Sequence, residues 1–321
     1  MTANLYHPES WVKNGHWDYI NQTPQNSGQW KKITYLINDH SQLRANFIVV
    51  HDDLDIPLKA EAHGENFILV TGEEKSMKGY HQDFLAQFDL IITSRDDIKH
   101  KNVLRTHYFH PWSIKRKYDE LILSNPTKTS NLSAVVSNAT ILPGHKQRFA
   151  LLNKLKGHFK NELDWFCKGE DSFVEDKWDG LASYRYSISI ENSRHPNYFT
   201  EKISDCFLAG AMPFYTGCPN IGDFFDDRSF VSIEKGNYLE TISIIESCIK
   251  ENYQATNAAY ILESKQLILE KYHFIAAITE ELNKLPKASS IVKRTLYPHF
   301  HFTEKKLIKK IISRVAQKIL S

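Results

Sequence analysis

The run YRYSISIENSRHPNYFTEKISDCFLAGAMPFYTGCPNI, residues 184–221, decides the fold. Its first eight residues alternate, with Tyr184, Tyr186, Ile188 and Ile190 on one side and Arg185, Ser187, Ser189 and Glu191 on the other. That period predicts a strand with one apolar face. NSRHPN is rich in turn formers. Thr200 then caps a helix in which Ile203, Cys206, Phe207 and Gly210 share a face, and Gly210 ends it before a second strand over 212–216. The segment is a β-loop-α-β unit, and ligands of open α/β sheets bind beyond the carboxyl ends of the strands, where NSRHPNYFTEK sits. Lys202 falls in the first helical turn, where a cation opposes the macrodipole by about 0.3–1 kcal/mol unless an anion lies beside it. Free backbone N–H groups plus this point charge suit a diphosphate. The alternative for Lys202 alone is a solvated lysine paired with a neighbouring acid.

Working outward, short apolar runs at 47–50, 67–70 and 88–93 read as buried parallel strands, with a helical pattern over 80–88 between the last two. A second series begins with a strand over 132–137, continues in a helix near 145–159 and returns as a strand over 163–166. SNPTKTS, residues 124–130, reads as the linker between the series. A chain of 321 residues exceeds what one hydrophobic core usually supports. The pattern therefore predicts two α/β domains facing a cleft, with boundaries at 1–128 and 129–300 and a separate tail over 301–321.

Composition narrows the class. The chain is 41% hydrophobic and 24% charged, as in soluble globular proteins. No apolar run approaches the roughly 20 residues of a membrane span, and MTANLYHPESW has no signal-peptide hydrophobic region, so a cytoplasmic protein is expected. Four scattered cysteines without a CxxC pair suit a reducing compartment. The net charge of +2 divides into +5 between Glu304 and Leu320 and −3 elsewhere, which excludes nucleic-acid binding by the body. In KKLIKKIISRVAQKIL an apolar stripe (Leu307, Ile308, Ile311, Ile312, Val315, Ile319, Leu320) is flanked by six basic residues. Such a basic amphipathic helix can lie on the inner, anionic face of the cytoplasmic membrane as a peripheral contact through residues 304–320, or pack on protein.

The order of motifs in 184–221 resembles the donor-binding signature of family 10 glycosyltransferases, the α1,3/4-fucosyltransferases of bacterial type. In that family a Tyr-Lys-Phe-like strand leads to Glu-Asn-Ser, then Tyr-X-Thr-Glu-Lys, then a Pro-X-Tyr-X-Gly strand. Weaker similarity extends to VTGEE, QFDLIITS, VVSNATILPGHKQRFALLNKL and SFVSIE. The resemblance implies a GT-B fold of two Rossmann-like domains, the first binding the acceptor and the second the GDP-sugar donor. It also implies inversion at the anomeric carbon, with no cofactor and no essential metal. Carried onto this sequence, Arg148 falls on the diphosphate-binding arginine, and Tyr198, Glu201 and Lys202 on the Tyr-X-Thr-Glu-Lys residues. Arg148 and Lys202 would then neutralise charge growing on GDP, and Glu201 would accept hydrogen bonds from ribose or sugar hydroxyls. Asn192 would orient the loop or donor, its ordinary alternative being a turn residue. Glu73, directly after the 67–70 strand, falls on the proposed catalytic base, which takes the acceptor proton; Glu74 is the adjacent alternative, and a surface acid the bland one.

The implied reaction moves L-fucose from GDP-fucose to a hydroxyl, O3 of GlcNAc or Glc, of a bacterial surface glycan such as lipopolysaccharide. A lipid-linked acceptor would give the basic tail a use. Two other readings remain beside it: a transferase for another GDP-linked deoxysugar, since Arg194 and His195 lie in the loop, and a non-catalytic GDP-sugar-binding assembly protein. Asp53-Leu54-Asp55 mimics the Asp-X-Asp metal motif of a different transferase fold, but three-residue motifs arise often by chance. His107 with His110, and His299 with His301, lack the thiolates or spaced partners of a zinc site.

Overall fold

The computed structural model describes residues 1–13, 18–137, 143–234 and 236–303. The described residues form two compact units: those of 1–13, 28–106 and 279–303 make the first, and those of 18–27 and 107–278 the second. The basic tail expected over 301–321 lies outside the described residues from 304 onward.

Unit 1 is built on a seven-stranded sheet whose order is Gln29–Trp30, Ile33–Ile37, Thr2–Tyr6, Phe47–His51, Phe67–Val70, Leu90–Thr93, Val103–Arg105. Every pairing is parallel except that of Gln29–Trp30 with Ile33–Ile37. The runs FIVVH and FILV are buried at every position, as expected where both faces of a parallel sheet are covered. Ile48, Phe67, Phe84, Phe88 and Ile91 fill one face of it. A smaller sheet sets Leu58–His63 between Arg44–Ala45 and, antiparallel, Ile291–Leu296. That last pairing returns the chain to unit 1 after residue 278, so the units do not follow one cut near residue 128.

Unit 2 carries a five-stranded, all-parallel sheet ordered Leu163–Lys168, Ser130–Ser137, Tyr184–Ile190, Met212–Thr216, Val231–Ser232. Strand order reverses between Ser130–Ser137 and Tyr184–Ile190, whose register pairs Leu132 with Tyr186 and Ser133 with Ser187. Their carboxyl ends therefore flank the topological switch point, where such sheets bind ligands. The helix Pro143–Phe159 follows the first of these strands, and the loop 191–199 the second.

Three local expectations are revised. Tyr184–Ile190 buries both faces, not one: Ser187 and Ser189 are buried, and Ser187 hydrogen-bonds Ser133 across the sheet. A central parallel strand has no solvent side, so its polar residues pair with neighbours. The helix expected over 80–88 shortens to Gln82–Leu85, capped by His81, because Tyr80 is drawn inward to hydrogen-bond Asp52. SNPTKTS is anchored at two points: Lys128 Nζ donates to the carbonyls of Ala182 (2.8 Å) and Ala209 (2.6 Å), and Lys265 Nζ to that of Ser124 (2.6 Å).

Candidate functional site

The helix Glu201–Leu208 begins as its sequence dictates. Thr200, in extended conformation, caps it by accepting from the Lys202 N–H, and Gly210 follows at φ +70°, the left-handed region that favours glycine. Ile203 and Phe207 are fully buried. Burial of that face sets the helix against the sheet, with its amino terminus beside the end of Tyr184–Ile190. Glu191 makes the junction. It is fully buried, and its carboxylate accepts from the Thr200 N–H at 2.8 Å and from the Thr200 hydroxyl at 2.8 and 3.0 Å. Lys202 Nζ turns back over the helix end to Thr200 Oγ1 (3.1 Å), Glu201 Oε1 (3.1 Å) and Glu191 Oε2 (3.4 Å). The pairing with a neighbouring acid foreseen for Lys202 is therefore present, but inside a polar cluster instead of on a solvated surface.

Glu201 extends the cluster toward a second lysine and a histidine. Besides Lys202, it meets Lys177 Nζ at 3.5 Å and His110 Nε2 at 3.5 Å. Lys177 also reaches Asp205 Oδ2 at 3.1 Å, while Asp205 Oδ1 accepts the Ser113 N–H at 3.0 Å. Burial alone would raise the Glu201 pKa, but Lys202, Lys177 and His110 together outweigh it and hold the carboxyl well below its usual range. Asp205 shows the opposite balance: burial, only partly offset by Lys177, raises it to about 6. His110 is pushed down to about 4, chiefly by burial, so it meets Glu201 as a neutral ring at pH 7. Lys177 remains a cation, because Asp205 and Glu201 outweigh its desolvation and raise it to about 12.

Arg148, on the helix Pro143–Phe159, is buried. Its pKa is lowered by desolvation against the opposing pull of Glu201 and Glu191. The guanidinium thus belongs to the same electrostatic cluster as the Glu201–Leu208 amino terminus. Three cations (Arg148, Lys177, Lys202) and three carboxyl groups (Glu191, Glu201, Asp205) meet there, so an incoming anion finds donors already gathered and desolvated.

The loop between strand and helix holds the remaining candidates. Asn197 sits at φ +64° and trades hydrogen bonds with Asn220: its N–H to Asn220 Oδ1 (2.8 Å), and Asn220 Nδ2 to its Oδ1 (2.9 Å). This clasp orients buried Tyr198, whose ring packs 5.2 Å from Tyr108 and 4.5 Å from His195. Asn192 Oδ1 is buried with no hydrogen-bond partner among the described residues, a disposition suited to a bound donor group. Arg194 pairs with Glu234 at 3.3 Å on an exposed surface.

Glu73 belongs to unit 1 and the other five candidates to unit 2. It is half-buried at the carboxyl end of Phe67–Val70. Buried Arg95 ties down its loop, Nη1 donating to the carbonyls of Glu73 (3.1 Å) and Lys78 (2.7 Å) while Nε and Nη2 grip Asp97. Glu74 instead accepts from the Ser76 N–H at 2.7 Å. The two acids of Asp53-Leu54-Asp55 are engaged separately. Asp53 takes Lys78 Nζ (2.8 Å) and the His299 N–H (2.8 Å), and Asp55 the Glu9 N–H (2.7 Å). Among the described residues no group of three or more His, Cys, Asp or Glu is placed to hold a metal.

Sequence reasoning missed Glu191, Lys177, Asp205, His110 as a Glu201 neighbour, and Gly217. A side chain on Gly217 would collide with the Glu191 Cγ and the Tyr215 hydroxyl. For Glu191 the alternation gave no signal, since it falls on the polar side with Arg185, Ser187 and Ser189 and is buried only because both faces of the strand are covered. Lys177 and Asp205 stand 28 residues apart, and only the three-dimensional fold joins them.

Residues 125–260 match the family model for glycosyltransferase family 10 (fucosyltransferase), carboxyl-terminal part. Alpha-(1,3)-fucosyltransferase 7 of Rattus norvegicus is 26% identical over 217 residues, 64% of this chain and 56% of that protein. Alpha-(1,3)-fucosyltransferase FucT of Helicobacter pylori is 29% identical over 129 residues, 38% of this chain and 25% of that protein. The chain thus spans about half, or less, of the length of these relatives. A crystal structure of an alpha1,3-fucosyltransferase with GDP-fucose aligns with TM-score 0.50 and 17% identity, covering 85% of this chain and 92% of that one. At that identity the likeness shows the fold, which is GT-B with two Rossmann-like units.

Proposed function

We propose that this chain, whose residues 125–260 match the family model for glycosyltransferase family 10, transfers L-fucose from GDP-fucose to a glycan hydroxyl with inversion. One observation carries the reading: Arg148, Lys202 and a capped helix amino terminus converge at the switch point of the unit 2 sheet. Relatives named fucosyltransferases, and a similar structure named for its GDP-fucose complex, set the donor within that chemistry.

In this mechanism the diphosphate sits against the helix amino terminus. Arg148 and Lys202 neutralise the charge that grows on GDP as the glycosidic bond breaks, the service a divalent ion gives in other transferases. Lys202 exchanges its carboxylate partners for phosphate oxygens. Glu201, held anionic, accepts from donor hydroxyls, while Tyr198 and Asn192 border the donor. Glu73 takes the proton of the acceptor hydroxyl as that oxygen attacks the anomeric carbon from the face opposite GDP. The products are a fucosylated glycan of inverted anomeric configuration and GDP. The acceptor we propose is a bacterial surface glycan such as lipopolysaccharide.

Incubation with a panel of GDP-, UDP- and CMP-sugars tests the donor class. Hydrolysis of GDP-fucose, and a melting temperature raised by GDP, are expected; protection by UDP but not GDP overturns the reading.

A further inference from the structure

Lys177 enters a part of the cluster that the proposed chemistry does not use. It lies in the short 3-10 turn Lys177–Gly180, outside both the 191–199 loop and the helix it touches. Asp176 caps that turn by accepting the Trp178 N–H at 3.0 Å, and the same carboxylate holds Arg116 at 2.7 Å, so the base of the lysine is fixed. The ammonium stands between two carboxylates on successive turns of one helix, Glu201 Oε1 at 3.5 Å and Asp205 Oδ2 at 3.1 Å. Asp205 is in turn fixed by the Ser113 N–H at 3.0 Å.

We infer that Lys177 is a positioning residue of the donor site, sharing the charge of Glu201 so that Lys202 is free to leave its carboxylates for a diphosphate. This rests on the assignment of Glu201 and Lys202 to donor binding. Glu201 faces three basic side chains, Lys202, Lys177 and His110, with Arg148 acting on it from the neighbouring helix. His110 is neutral at pH 7 and supplies no charge. Without Lys177, Lys202 becomes the sole cation in contact with Glu201 among the described residues, and each step toward an incoming phosphate would leave that carboxylate without a contacting cation. An unpaired charge in a desolvated site is costly, so Lys202 would stay in place. With Lys177 present, Glu201 keeps a counter-ion when Lys202 moves, and Asp205 keeps Lys177 from swinging into the phosphate site itself.

The test is calorimetric titration of GDP into the full chain. Lys177→Gln retains a donor for Asp205 but removes the charge; the side chain is 31% exposed, so the fold tolerates the change, as a melting curve will verify. GDP affinity is expected to fall at least about tenfold at pH 7.5, and Lys177→Arg to stay within about threefold of wild type. In the Glu201→Gln background, Lys177→Gln is expected to add less than about twofold, since the carboxylate whose charge Lys177 shares with Lys202 is then gone. A folded Lys177→Gln protein binding GDP within twofold of wild type overturns the inference, as does full additivity with Glu201→Gln. Wild-type protein that binds no GDP overturns the donor-site assignment instead, so the two failures are distinguishable.

Discussion

The carboxylate of Glu191 and the cap residue Thr200 are joined three times, through the Thr200 backbone N–H at 2.8 Å and its hydroxyl at 2.8 and 3.0 Å. The end of one strand thereby fixes where the next helix begins, and the direction in which its free N–H groups point. Glu191→Ala leaves that N–H without its acceptor and removes a counter-charge from Lys202. We expect a loss on the order of 3 kcal/mol in folding stability, measured by denaturant unfolding, together with weakened GDP binding. Unchanged stability would show the contact to be incidental.

Gly217 probes the same junction from the other side. An added Cβ would meet the Glu191 side chain and the Tyr215 hydroxyl. Gly217→Ala is therefore expected to destabilise by about 1–3 kcal/mol through overpacking, and to weaken GDP binding because Glu191 must shift. Gly79, with nothing within 4 Å of its added Cβ, is the control: Gly79→Ala is expected to leave GDP binding as it was.

Glu73 and Arg95 separate chemistry from donor binding. Glu73→Gln is expected to lower turnover by about 10²–10⁴ while leaving GDP affinity within about twofold, as removal of a general base requires. Arg95→Lys, which cannot span both loop carbonyls and Asp97, is expected to lower turnover about tenfold, also without loss of GDP affinity. Equal losses of turnover and affinity in Glu73→Gln would reject its role as base.

Acid should destabilise the protein through its buried histidines. Burial lowers His107 and His273 to about 3 and His110 to about 4. A histidine with a depressed folded pKa favours folding fully above its unfolded value, near 6.5, and loses that advantage as pH falls toward the folded value. Three such groups lose together about 4 kcal/mol per pH unit, at about 1.4 kcal/mol each. Asp205, raised to about 6, acts with the opposite sign, since its protonation on acidification favours the fold. One group against three does not reverse the trend. The melting temperature is expected to fall steadily from pH 6.5 to pH 4.5, and a flat profile would contradict the buried neutral state of these rings.

Local pattern revealed those parts of the protein whose residues are neighbours in sequence. The strand at 184–190, the Thr200 cap, the Gly210 stop and the strand at 212–216 all follow from period and capping, and each is present. Pattern failed where a distant residue decides. Periodicity alone cannot tell whether the polar face of Tyr184–Ile190 meets solvent or a neighbouring strand. Lys128 converts an apparent linker into a bound segment through carbonyls 54 and 81 residues away. The return of Ile291–Leu296 to unit 1 depends on pairing with Leu58–His63. Among the candidate residues, Arg148, Asn192, Tyr198, Glu201 and Lys202 are named by the ordered motifs of the resemblance, whereas the ion pairs that join Lys202 and Glu201 to Glu191 and Lys177, and Lys177 to Asp205, arise only when the chain is folded.

Titration of GDP into wild-type protein and into the Arg148→Ala/Lys202→Ala double variant tests the central claim most directly. Saturable GDP binding that weakens by at least about a hundredfold in the folded double variant, with UDP bound far more weakly by wild type, is the predicted result. GDP affinity indifferent to both substitutions, or saturation by UDP in place of GDP, would contradict it.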